Sequence, residues 1–595
     1  MAGNQAFFAN KPNINIGRTR WNMTFDHPTA WQHGKVIPIA CIPMLPGDSI
    51  NMCKVSSLIR MNQPIVPIMD NIRASLYAVW IPQRLVHKNC KKFYGENEET
   101  AGPQLTNYKI PSMGFGTRAC EAGSISNYLH KPIVKVGTEW TDALEVSVLK
   151  ERCYYLAWNN LFRAQQFTAP VSINLNDYSG NEVGNYDFGI CNKVSGHTYT
   201  QNFFGDYVGQ WNSKPLPCGK QFDYFTSATL QPQYGPTIDI PLGDYAPLGV
   251  LYDEDGTALS YTPKAYDSNI KEWINAKGNS VYFGYSGASV DPAEFAFLGN
   301  NDHTGQLEVH YADESIFPGD GFPDDEFKTN LIVDLSNATA ASINTLRAAF
   351  AAQRFYERSI YGSRYYEYLQ VHYSVNPPLG LLDYPELLGE HHWNINIQQV
   401  LSTAGAADDD STKLGQPGAN STTGDSARLF KKSFVEHGFL MILLTTTHDR
   451  HYTQGFLRED LKREMLEIYH PEFATLGDQA IYRNEIFAKD GQSNDVTFGY
   501  QEHWAEYRYR PSRATSVLDP QSSSGMSMWT LTESLADPQL GNNFIYETRE
   551  ALASSLVTGV ESPFDYIGDF YFDIDIIRPM PLYSVPGRID HVGGW

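Results

Sequence analysis

FGYQEHWAEYRYRPSR, Phe498–Arg513, decides how the chain reads. Taken with a strand's period of two, it separates two faces. Phe498, Tyr500, Glu502, Trp504, Glu506, Arg508 and Arg510 fall on one, and Gly499, Gln501, His503, Ala505, Tyr507 and Tyr509 on the other. Neither face is a plain core stripe, since one carries acids followed by arginines and the other mixes rings with polar groups. Pro511 has no N–H, so it ends the strand or sets it at an edge. Such a strand suits a surface that meets another chain, because Arg and Tyr are favoured at contacts between proteins. A solvated edge strand of a monomer accounts for the same pattern.

Outward from that stretch, composition supports a β-rich reading. Of 595 residues 42% are hydrophobic, enough for a substantial core, and 36 are Tyr against 12 Met. The 47 Gly and 34 Pro are scattered without a repeat, a profile of many short strands and long loops. The seven Cys all precede Thr226, form no C-x-x-C, and are odd in number, which predicts free thiols from a reducing cytoplasm. The first twenty residues show no apolar h-region, so no signal peptide is expected, and the apolar run Phe439–Leu444 is too short to cross a bilayer. Net charge is -22 but uneven: eleven basic residues against three acids through Lys92 give +8, leaving -30 on the rest. Two surfaces with different neighbours, a polyanion on one side and solvent on the other, would account for that split.

In chain order, 1–34 is polar, Asn-rich and dotted with aromatics, and reads as an extended arm ordered by what it lies on. Residues 35–167 give apolar runs cut by Pro and Gly, with Pro46–Gly47 a turn and Ile72–Ile81 a core strand. Within this part Lys131–Leu161 reads as mostly helical, capped by Thr141. Residues 168–330 are rich in Gly, Asn, Asp, Tyr and Pro, and their end, Asp291–Asn330, holds ten acids and one base, Lys328. That composition fits a solvated surface projection. Residues 331–518 contain the clearest helix, Ser336–Tyr361, with Ile343, Leu346 and Phe350 on one face. They also contain a strand over Ile395–Thr403, a buried strand in Ser433–Thr447 and a short amphipathic helix at Leu457–Tyr469. In 519–595 the aromatic Phe564–Ile577 gives one or two late strands or an inter-subunit arm.

Several of these blocks carry a resemblance. FGYQEHWAEYRYRPSRATSVL, LPGDSINM, the PIVPIMDN run, AVWIPQRLV…KKFYGE, the helix followed by GSRYYEYLQVHYSV…PPLGLLDYPELLG, and HPEFATLGDQAIYRNEIF are similar to the major capsid proteins of Microviridae, the small icosahedral single-stranded DNA phages, and within them to the gokushovirus-like group. The resemblance implies a mainly β fold: an eight-stranded antiparallel viral jelly roll (a β-sandwich) with long inter-strand insertions and a few helices. It implies self-assembly, through pentameric intermediates, into a T=1-type shell around circular single-stranded DNA. The virion would be assembled in the bacterial host cytoplasm with other phage structural proteins. The 168–330 insertion would then build threefold protrusions, with Asp313, Glu314, Asp320, Asp324, Asp325 and Glu326 as candidates for meeting a host surface receptor. Lys11, Arg18 and Arg20, set among Asn and aromatic residues, are candidates to face DNA. Trp504, Glu506, Arg508, Tyr509, Arg510 and Arg513 are candidates to join subunits. Because an acidic coat cannot neutralise a genome by itself, a small basic DNA-binding protein or polyamines are expected to share that task.

Enzymatic readings lack a constellation. His391–His392 and His448/His451 have no H-E-x-x-H or third carboxylate at metal spacing, so hydrogen-bonded structural histidines account for them better. There is no nucleophile elbow and no phosphate loop, and the DEDG at Asp253–Gly256 falls short of a calcium loop. No cofactor, metal or catalytic residue is expected. The rival from another class is a secreted or surface carbohydrate-binding β protein, with a glycoside hydrolase as its enzymatic form, but no carboxylate pair stands out for it.

Overall fold

The computed structural model describes residues 17–96, 109–115, 120–133, 144–173, 190–194, 197–199, 211–233, 248–250, 264–267, 272–275, 297–300, 307–310, 331–333, 343–359, 364–401, 417–474, 476–489, 496–523, 526–559 and 562–582. The chain divides into two compact units, 1–235 with 356–595, and 236–355.

Eight strands organise the first unit: β1 Thr19–Trp31, β2 Ile37–Met44, β3 Ser49–Met61, β4 Ile72–Pro82, β5 Glu386–Asn394, β6 Thr423–Ser433, β7 Gly438–His448 and β8 Tyr566–Arg578. They form two four-stranded sheets, one in the order β1-β8-β3-β6 and the other β5-β4-β7-β2. Every neighbouring pair is antiparallel. The chain changes sheet at each step except from β4 to β5, and that connection carries the whole second unit. The mainly β, antiparallel fold expected from the sequence is therefore present.

The core lies between the sheets. Cys53, Val55 and Ile59 of β3 and Phe570, Phe572, Ile574 and Ile576 of β8 meet Ile72, Leu76 and Trp80 of β4 and Leu440, Ile442 and Leu444 of β7. At about 1.5–3 kcal/mol per buried large apolar side chain, this layer is the main stabilising feature of the unit. A second apolar layer covers the other face of β4 and β7. There Val79, Ile81, Met441 and Leu443 pack on helix α1, Leu149–Leu161, through Cys153, Tyr154, Ala157 and Trp158. Burial on both faces explains the unbroken GFLMILL run of β7. Tyr154 Oη donates to Val36 O at 2.8 Å and Trp158 Nε1 to Pro217 O at 2.8 Å, so the helix is fixed by polar bonds as well. The outer face of the β1-β8-β3-β6 sheet is open: Leu58, Ile567 and Tyr571 on it are about half exposed.

Several expectations need correction. The segment 1–34 is not wholly an arm, since Thr19–Trp31 pairs along its full length with β8. Of the two readings of Phe564–Ile577 the late strand holds and the arm does not: β8 lies between β1 and β3, and its inside–outside alternation from Tyr566 to Asp573 sets which face meets the core. Lys131–Leu161 is only partly helical, because Leu144–Ser147 is a strand paired with Ser112–Phe115. The proposed cap Thr141 lies outside the described residues. Leu457–Tyr469 is not one helix but a turn at Arg458–Leu461 and a 3-10 turn at Met465–Glu467. Part of the 168–330 segment belongs to the first unit, with Trp211, Leu216 and Phe225 buried there. The described cysteines 41, 53, 90, 120, 153 and 218 are free.

In the second unit the described strands form three two-stranded antiparallel ladders: Leu248–Val250 with Leu331–Val333, Lys264–Asp267 with Glu272–Asn275, and Phe297–Asn300 with Leu307–His310. The helix expected over Ser336–Tyr361 is described from Ile343 to Ser359, with Phe350 largely exposed.

Candidate functional site

The Phe498–Arg513 stretch begins as the strand Thr497–Gln501, paired with Gln479–Tyr482. The period-two reading fails beyond Gln501. Trp504 takes a left-handed conformation, φ 67°, and Ala505–Tyr507 close a 3-10 turn. The turn is held because Trp504 is buried in its own chain, its Nε1 donating to Phe473 O at 2.9 Å. Glu506 also faces inward, accepting from Lys462 Nζ at 2.5 Å and Gln479 Nε2 at 2.7 Å. Burial would raise its carboxyl, but these two bonds outweigh it and hold it below the usual range. The Lys462 ammonium lies 5.1 Å from the Trp504 ring centroid and 4.4 Å from that of Tyr507.

The remaining residues of the stretch form a rim. Tyr507 and Tyr509 are 59% and 52% exposed. Arg508 pairs with Glu502, Arg510 with Glu459 at 3.3 Å, and Arg513 Nη1 donates to Gly455 O at 2.5 Å. Beside them Met465, Leu466, Ile468 and Tyr469 are exposed, Met465 by 71%. Tyr469 reaches the Trp504 ring edge-on at 5.5 Å. Sequence reasoning placed Met465–Tyr469 on an amphipathic helix and so missed this apolar patch. The run MLEIY, with three apolar residues in four and only one acid, was the available signal.

Of the candidate DNA-facing residues, Lys11 lies outside the described residues, as do all six acids of the insertion. Arg20 is engaged bidentately by Asp575, at 2.7 and 2.6 Å. Arg18 is exposed, with its guanidinium near Gly47.

Beneath the sandwich edge lies a buried ion cluster that no local motif announces. His33 Nε2 and His448 Nδ1 are 3.0 Å apart, and Glu547 Oε1 is 3.4 and 3.0 Å from them. His33 Nδ1 bonds the Tyr566 hydroxyl at 3.0 Å. Three side chains from distant parts of the chain thus converge with the donor set of a metal site. Arg450, however, bonds the same Glu547 oxygen and also Glu533, which Lys220 approaches at 3.3 Å. The guanidinium holds the place of the cation, and two carboxylates balance two fixed positive charges without a further ion. Arg450 and His448 hold the Glu547 carboxyl well below the usual range against the opposing effect of burial. Next to it Arg549 chelates Asp565 at 2.8–2.9 Å, and Asp565 also accepts from the His33 amide. The cluster ties the end of β7 to the chain entering β2 and to the segment before β8. The other singled-out histidines are bonded too: His391 to Asp425 at 2.6 Å, His392 to Ser75 at 2.8 Å, and His451 lies 3.2 Å from Asp70.

Two four-stranded antiparallel sheets packed on one core, with connections that carry most of the chain, define a mainly β sandwich protein. The capsid protein (F protein) family matches residues 9–588, and the chain belongs to that family. It is 30% identical to the capsid protein VP1 of Chlamydia phage 1 over 98% of this chain and 97% of that one. It is 29% identical to the capsid protein VP1 of Bdellovibrio phage phiMH2K over 98% of both chains, and 27% identical to that of Spiroplasma virus 4 over 96% and 95%. The resemblance to gokushovirus-like capsid proteins stands, the chain is a virion component, and the carbohydrate-binding rival finds no support.

Proposed function

We propose that this capsid protein tiles a T=1-type icosahedral shell around circular single-stranded DNA, in which the eight strands form a jelly roll. The observation that carries the reading is the strand order, β1-β8-β3-β6 against β5-β4-β7-β2, in a chain of the F-protein family. A double-sheet wrap of this kind is a self-contained wall, and its loops are free to reach neighbours. Closed symmetry lets one surface pattern build the whole container. The work is assembly and enclosure, with no chemical turnover.

The subunit contact is placed on the rim of Tyr507, Tyr509 and the neighbouring Met465, Leu466 and Ile468, flanked by Arg508, Arg510 and Arg513. Trp504 and Glu506 support that rim from inside. Host attachment is assigned to the acidic insertion, and a small basic protein is assigned a share of genome neutralisation. Size-exclusion chromatography and negative-stain imaging of the purified protein test the main reading. Uniform shells or pentamers are expected, and a monomer at every concentration would overturn it.

A further inference from the structure

The open face of the β1-β8-β3-β6 sheet is divided by charge. In register across it, Lys54 stands between Asp573 of β8 and Arg428 of β6, Ser56 between Tyr571 and Ser426, and Leu58 between Asp569 and Gly424. Arg60 lies opposite Ile567, and Lys431 is exposed further along β6. On the β3–β6 half the outward charges are thus Lys54, Arg60, Arg428 and Lys431. Asp425 of β6 has the opposite parity and bonds His391. Among the described residues none forms an ion pair with these four cations, whereas Arg20 on the same sheet is taken by Asp575. The β1–β8 half carries Asp26, Asp569 and Asp573 outward.

We propose that the β3–β6 half of this face is a track for the phosphate backbone of a single nucleic-acid strand, with Tyr571 as a platform for an unpaired base. The proposal rests on the capsid reading and names the surface that meets the enclosed genome. Cations along the strands would neutralise phosphates over the roughly 20 Å from Lys54 to Arg60, at about 3.3 Å per residue. The Ser56 and Ser426 hydroxyls, bonded to each other at 2.9 Å, leave one hydroxyl hydrogen as a neutral donor beside them. Tyr571 is 47% exposed on the neighbouring strand, within reach of a base whose phosphate lies on β3. The acids set the selectivity. Strands are about 4.8 Å apart, so the cationic half is too narrow for a duplex. The second backbone of a duplex would lie over Asp569 and Asp573, whereas a single strand can keep its phosphates on β3 and β6 and turn only an uncharged base toward β8. These cations join Lys11 and Arg18 as candidates for contact with DNA, whereas Arg20 is already held by Asp575.

The test is binding of a fluorescent oligo-dT to full-length unassembled protein over a salt series, with shell formation scored separately by imaging. Each phosphate contact contributes roughly 0.7 to the slope of log affinity on log salt for a single strand. Together the changes Lys54→Gln, Arg60→Gln, Arg428→Gln and Lys431→Gln should lower that slope by roughly 3. Tyr571→Ala should weaken binding about fivefold or more and leave the slope unchanged. Asp569→Asn with Asp573→Asn should tighten binding and narrow the preference for single-stranded over duplex DNA. Unchanged thermal unfolding of these surface variants shows that the fold is kept. An unaltered slope in the fourfold variant, or equal affinity for a duplex, overturns the track. Shells forming normally alongside either result would leave the capsid reading standing.

Discussion

Arg450, itself buried, sits between two carboxylates, the buried Glu547 and the partly buried Glu533. Removing it would leave the buried Glu547 and the partly buried Glu533 each with one fewer partner, and breaking a buried pair costs roughly 3–5 kcal/mol. Arg450→Met should therefore lower the unfolding temperature strongly or leave the protein insoluble, whereas Arg450→Lys should fall between the two. A thermal scan showing Arg450→Met as stable as the parent would mean that the cluster adds nothing to the fold. The response to acid separates by residue. Burial raises the Glu533 carboxyl, but Arg450 and Lys220 bring it down to about 2. An unfolded glutamate titrates near 4.3, so the unfolded chain takes the proton first, and this stability is complete above about 4.3 and lost as pH falls through about 2. Burial and then the neighbouring His130 lower His27 to about 4. An unfolded imidazole titrates near 6.5, so the His27 contribution is complete above about 6.5 and declines as pH falls toward 4. Urea midpoints measured across pH should show His27→Asn flattening the decline between about 6.5 and 4. Glu533→Gln should flatten it only below about 4.3.

At the scale of the element, the rim and its support make separate predictions. Trp504→Ala removes a buried ring, its bond to Phe473 O and the seat of Lys462, so a loss of roughly 3–5 kcal/mol in unfolding free energy is expected. Tyr509→Ala, on a half-exposed ring, should leave stability within about 0.5 kcal/mol and still lower the yield of shells. Equal shell yield from Tyr509→Ala and the parent, on imaging, would take the rim out of the subunit contact. This pair also marks the limit of what the sequence makes legible. β7 and β8 could be read directly, one from a run buried on both faces and the other from alternation of Phe and Ile with Asp. Phe498–Arg513 alternates equally well on paper, but the strand stops at Gln501. A tertiary demand, the burial of Trp504 against Phe473, forces the left-handed turn, and no periodicity within sixteen residues contains that information. His33, Arg450 and Glu547 were illegible for the same reason, since their partners lie from 83 to 533 residues away. The partners of Arg20 were hidden too, because β1 meets β8 from the far end of the chain.

For the whole molecule, charge and assembly pull against each other. Each subunit carries -22, so copies brought together repel one another before any contact forms. The rim does not offset this with free cations: Arg508 and Arg510 already pair with Glu502 and Glu459 in their own chain. What it presents to a neighbour is chiefly apolar, Met465, Leu466, Tyr507 and Tyr509 among the exposed groups. Apolar contacts do not weaken with salt, whereas repulsion between exposed charges is screened within about 10 Å at 0.1 M ionic strength. The protein concentration needed for shells should therefore fall several-fold between about 0.05 and 0.5 M sodium chloride. Salt acts in the opposite sense on the open sheet face, where it should strip a nucleic-acid strand from Lys54, Arg60, Arg428 and Lys431. Empty shells should accordingly be favoured at high salt and filled ones at low salt. Light scattering with and without oligo-dT across the same salt series measures both effects at once. A concentration threshold that rises with salt in the absence of DNA would mean that ion pairs between subunits, rather than the aromatic and aliphatic rim, hold the tiles together.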